Sequence, residues 1–172
     1  ITTAPLFAGE RLFVRTSASW GGSSVPTVAS FTLEGKLVWS ESNAQSTHHD
    51  MAPLLHVMAG NGSCGAWPEM IIVGWSDGSV EARSPSEGSL LWAYETEQVT
   101  WGVTGVMAVD EDQIVVPTRT GLVSLCASDG SMAMEATTGL GWRNGVTVGD
   151  EEYFLGDETN QALTIAVGIW HF

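Results

Sequence analysis

The residues with obvious chemical potential are few and scattered. His48-His49-Asp50 sets two imidazoles and a carboxylate side by side, the donor types of a transition-metal site. Adjacent residues of an extended chain point to opposite sides, so the two histidines do not converge on one ion. His48 and Asp50 could share a side, with His56 or His171 as a remote third donor, but no His-Glu-x-x-His spacing is present, and no metal is expected. Acidic residues gather at Glu10, Glu34, Glu87, Asp110-Glu111-Asp112, Asp129 and Asp150-Glu151-Glu152. Calcium needs about six to eight oxygens converging on one point. These carboxylates instead sit one group per turn, as solvated turn residues do. No Gly-x-Ser-x-Gly elbow supplies a hydrolase nucleophile. Cys64 and Cys126 could form one disulfide or remain two buried thiols, and their spacing matches no metal motif. Asn61-Gly62-Ser63 fits the glycosylation acceptor pattern and lies in a Gly-rich, accessible stretch. Of the remaining candidates, Trp75, Trp101, Trp142, Arg119 and Arg143 are of the types that carry binding energy at protein surfaces, and His49 stands with them as a candidate ligand contact.

Composition narrows the partners. The net charge is −14, from 20 acidic and 6 basic residues. Lys36 is the only lysine. Nucleic-acid and anionic-membrane surfaces are gripped by clustered Lys and Arg, so neither is an expected partner. No apolar run reaches the ~18 residues of a membrane-spanning helix. The chain opens at Ile1 rather than Met, the expectation for a processed product or a segment of a longer chain.

The elements that would position these residues are repeats. Leu12-Phe13-Val14, Ile71-Ile72-Val73, Ile114-Val115-Val116 and Tyr153-Phe154-Leu155 each follow a turn carrying acidic residues. Alternating segments come next: Val28 to Phe31, Val80 to Arg83, Val123 to Cys126 and Leu163 to Ala166. Three units then add a glycine turn and a short strand ending in a large apolar residue four positions on: Gly35 to Trp39, Gly88 to Trp92 and Gly130 to Met134. A further strand precedes each triplet, at Pro5 to Phe7, Pro53 to Leu55, Gly105 to Met107 and Gly145 to Thr147. The interval from 39 to 92 exceeds that from 92 to 134 because of an insertion, Gly60 to Pro68. A four-stranded antiparallel unit repeating at about 40–45 residues is a propeller blade. Blades are expected over 1–44, 45–98, 99–139 and 140–172, the last one incomplete, in a single partial propeller domain over 1–172. Trp39 and Trp92 are expected to pack between neighbouring blades.

The run from Asp77-Gly78 to Gly88-Ser89-Leu90-Leu91-Trp92 resembles the repeat of the PQQ-like, quinoprotein-type propellers, and Asp129-Gly130 and Gly35 to Trp39 resemble it as well. The resemblance implies a ring of seven or eight blades, so four blades call for neighbours from a second copy or from further chain. Some members of that family are pyrroloquinoline quinone dehydrogenases; others bind no quinone and serve as scaffolds. The dehydrogenases use adjacent cysteines, a calcium set of acid and amide groups, and a catalytic aspartate. No Cys-Cys pair or such cluster stands out here.

Propeller loops alternate between two ends. Loops from the fourth strand to the next blade share an end with those joining strands two and three. That end is expected to carry His48-His49-Asp50, Trp101, Trp142 and Arg143 in one loop set, and Trp20, Trp75-Ser76-Asp77, Arg119 and Asp157-Glu158 in the other. The expectation is an all-β, non-catalytic binding or assembly scaffold without a cofactor, presenting this face to a protein or a glycan in the periplasm or at the cell exterior. The alternative is a piece of a quinone-dependent oxidoreductase holding PQQ with calcium.

Overall fold

The computed structural model describes residues 3–17, 24–46, 52–96, 102–137, 145–150, 152–155 and 165–168. They form only strands and turns. The first sheet runs β1 (Leu6–Ala8), β2 (Arg11–Thr16), β3 (Thr27–Thr32) and β4 (Leu37–Ser42) in chain order. The second uses β5 (Leu55–Val57), β8 (Met70–Gly74), β9 (Ser79–Arg83) and β10 (Leu90–Glu95), and between β5 and β8 a hairpin of β6 (Gly60–Gly62) and β7 (Gly65–Trp67) stands apart as its own small sheet. The third sheet runs β11 (Ala108–Asp110), β12 (Gln113–Pro117), β13 (Gly121–Cys126) and β14 (Met132–Thr137). The fourth shows β15 (Val146–Val148), β16 (Glu152–Leu155) and β17 (Ile165–Gly168). All pairings are antiparallel. These are the blades of a β-propeller.

The innermost strands of the second and third blades begin later than expected, at Leu55 and Ala108. Pairing runs back from the hairpin turn, and in the third blade that turn is tight. Asp110 faces Gln113, and Glu111 takes φ 51° between them. The strand therefore occupies the residues nearest the turn.

Strand alternation gives each blade two faces. In the first three blades the middle residue of the apolar triplet faces the following blade, and in the last three its neighbours face the preceding one. Phe13, Val28 and Trp39 of the first blade meet Ile71, Val73 and Trp75 of the second. Met70, Ile72, Val80, Ala82 and Trp92 of the second meet Ile114, Val116, Val123 and Leu125 of the third. Val115 and Leu122 of the third meet Val146, Tyr153 and Leu155 of the fourth. Tyr153 also donates its hydroxyl to Asp110 Oδ2 at 2.6 Å.

Trp39 and Trp92 seal their seams as expected. Each donates its indole N–H to a backbone carbonyl of the next blade, Trp39 to Pro85 and Trp92 to Ala127, both at 3.0 Å. One further tie joins the second and third blades. Cys64, between β6 and β7, is disulfide-bonded to Cys126 at the end of β13. This decides between the two states left open by the sequence. The insertion is thus a strap. Asp112 Oδ2 accepts from the Cys64 amide at 2.7 Å and the Ser63 hydroxyl at 2.8 Å, and Ser128 donates its hydroxyl to Cys64 O.

Candidate binding face

The described parts of the loops leaving β4 and β10 are both laced to the turn from Trp75 to Gly78 between β8 and β9, which places these loops at one end. Asn43 Nδ2 donates to Asp77 Oδ2 at 2.7 Å, and the Ser46 and Ser76 hydroxyls share a hydrogen bond at 2.8 Å. Thr96 N donates to Gly78 O, Gly102 N to Ser76 O and Val103 N to Trp75 O. Within the Asp77-Gly78 turn, Asp77 Oδ1 accepts from both the amide and the hydroxyl of Ser79. Fixed loops on a sheet scaffold hold their side chains in place at little entropic cost on binding.

Trp75 does not offer its ring there. It is 1% exposed, at the seam between the first and second blades. The Arg15 guanidinium lies 5.0 Å from the ring centroid. The Trp75 indole N–H donates to Glu81 Oε2 at 3.0 Å. Glu81 Oε2 also accepts from Arg83 Nε at 2.8 Å, and Arg83 Nη1 reaches Glu41 Oε2 at 3.7 Å. Trp75 is thus a buried packing residue within a charged network. Arg119 is exposed, on the turn between β12 and β13 at the loop end. Trp101, Trp142, Arg143 and His49 lie outside the described residues, as do His48, Asp50, Trp20 and Asp157-Glu158.

Sequence reasoning missed the Arg15–Trp75–Glu81–Arg83–Glu41 network and the role of Asp112. A signal was present for the first: Arg15 follows Phe13 by two and so shares its inward face. For Asp112 there was none, because its partners come from 48 and 49 residues away. The Cys64 amide first and the Ser63 hydroxyl second hold its carboxyl below the usual range. Burial, and then the bond to Asp110, push the Tyr153 phenol well above its ordinary value.

Among the described residues, no group of three His, Cys, Asp or Glu could hold a metal ion. The cysteines are 62 residues apart in sequence and joined across a seam, and the Trp75 ring is covered by Arg15.

The blades and their laced loop end define a β-propeller of the PQQ-like repeat class. The family model described as outer membrane protein assembly factor BamB matches residues 1–100 and 76–168, and the chain belongs to this family. Among solved structures it is similar to a computationally designed protein, Ika4, with 13% identity and a TM-score of 0.68 over 98% of this chain and 91% of that one. It is also similar to BamB from Moraxella catarrhalis, with 18% identity and a TM-score of 0.60 over 90% of this chain and 42% of that one. A europium-containing methanol dehydrogenase is similar at 16% identity and a TM-score of 0.56, over 78% of this chain and 24% of that one. The chain therefore spans less than half of BamB. No curated protein matches it.

Proposed function

We propose that the chain is a non-catalytic assembly scaffold in the periplasm or at the cell exterior. In this reading its loop end holds a protein partner, and its first blade is covered by a second copy or by further blades of a longer chain. One observation supports the second part most directly. Ile71 and Val73, and likewise Ile114 and Val116, are fully buried against the preceding blade. The matching Leu12 and Val14 are only half-buried, and Phe7, which pairs with Leu12 on the same face, is 67% exposed. A blade face built like its buried counterparts is suited to another blade.

The loop-end partner rests on the laced backbone, with Trp101, Trp142, Arg143, Arg119 and His49 as the proposed contacts. A family whose description is that of an assembly factor is consistent with a protein rather than a substrate as ligand. The Cys64–Cys126 disulfide favours an oxidising compartment. This reading uses neither quinone nor calcium. Sedimentation of the purified chain tests it: self-association, weakened by Phe7→Ser, is expected, and a monodisperse monomer that captures no partner sinks it. Retention of added PQQ with calcium, seen by the quinone's absorption, would favour the oxidoreductase reading instead.

A further inference from the structure

Two successive seams of this propeller are built from matching strand positions, and their charged groups differ. Between the first and second blades the strands supply Glu41 from β4 and Glu81 and Arg83 from β9, and the arginine lies between the two carboxylates. Arg83 also donates to Gly88 O at 2.8 Å, so its guanidinium is a fixed part of the seam. In the next seam the blade repeat replaces Glu41 by Tyr94, Glu81 by Val123 and Arg83 by Leu125. A carboxylate returns, but from the neighbouring strand: Glu135 of β14 pairs with Val123, as Ala93 pairs with Glu81 one blade earlier. The second seam therefore keeps an acid and loses the guanidinium that would meet it.

The space is open. A groove of ≈ 360 Å³ lies there, lined by Tyr94 and Met132, by Thr118, Thr120 and Thr137, and by Glu135. Tyr94 Oη donates to Met132 Sδ at 3.5 Å. Glu135 is exposed and belongs to none of the ion pairs among the described residues. Arg119 stands between Thr118 and Thr120 in sequence but is not part of this lining. The groove runs from the loop end, at the turn carrying Thr118 and Thr120, to the outermost strands β10 and β14. A carboxylate, an aromatic ring and neutral hydroxyls are what a planar cation prefers. Among the described residues the lining holds no cationic side chain that would favour an anion, and the chain's net charge of −14 attracts cations over long range.

We propose that this groove receives an arginine side chain of the protein partner, its guanidinium taking beside Glu135 the part that Arg83 plays in the preceding seam. The proposal rests on the scaffold reading above and adds the chemistry of one contact. Its test is an NMR titration of the full chain with the capped peptide Gly-Arg-Gly, with capped Gly-Gly-Gly and with a neutral disaccharide. Saturable shifts of the Thr118, Thr120, Glu135 and Thr137 amides are expected for the arginine peptide alone. They should weaken about tenfold in Glu135→Gln, which removes a charge-assisted bond from an exposed position without disturbing the core. Equal response to the disaccharide, unchanged affinity in Glu135→Gln, or no saturation overturns the inference. Failure of the peptide to bind while the chain still self-associates overturns this inference alone. A monodisperse, partnerless chain that still binds the peptide through Glu135 overturns the scaffold reading and upholds the guanidinium site.

Discussion

Trp92 covers Gly130 so closely that the glycine has no room for a side chain: a Cβ there would fall 2.5 Å from the indole. Trp39 stands in the same relation to Gly88, at 2.6 Å. Both glycines also take φ +73°. The repeated Gly-x-x-x-Trp spacing thus encodes a contact between blades. The tryptophan of one blade rests on the glycine turn of the next, and the glycine within its own unit serves the blade before.

Gly130→Ala and Gly88→Ala are each expected to cost about 2–4 kcal/mol, combining left-handed backbone strain with overpacking. Gly35 provides the internal control. It has φ +84° and open space around it, so Gly35→Ala should show only the strain, about 1–2 kcal/mol. Urea unfolding at constant m-value separates the two outcomes.

Replacing both Cys64 and Cys126 by Ser should lower stability by about 2–4 kcal/mol, since the bond closes a long loop in the unfolded chain. Reductant should destabilise the wild type and leave the double variant unchanged. Hydrogen exchange would show the loss concentrated along β6, β7 and the end of β13.

Asp112 makes stability depend on pH. Its folded-state carboxyl is held below its ordinary value by the Cys64 amide and the Ser63 hydroxyl. The stabilisation is then present above the unfolded-state pKa and is lost as pH falls through the lower folded-state value. The unfolding free energy measured from about pH 5 down to about pH 3 should therefore fall more steeply for the wild type than for Asp112→Asn.

Trp75→Ala should cost about 3–5 kcal/mol, because it empties a buried seam and strips the ring from Arg15. Trp101→Ala and Trp142→Ala are expected to weaken partner capture while leaving the thermal midpoint near that of the wild type. A collapse of the fold in either variant would assign that tryptophan to packing.

How much of this was legible beforehand depends on the range of each interaction. The triplets, the alternating segments and the glycine-to-tryptophan spacing were readable because β-strands and tight turns are local, with a side-chain period of two. They determined four blades of antiparallel strands and named Trp39 and Trp92 as seam residues. Neighbouring blades, by contrast, bring together residues about 35 to 65 positions apart: Trp39 and Pro85, Asp112 and Cys64, Cys64 and Cys126. No local pattern reports such a pairing. Only the tertiary structure could join the two cysteines, turn Trp75 inward beneath Arg15, or show that one seam carries its own arginine while the next leaves a groove beside Glu135.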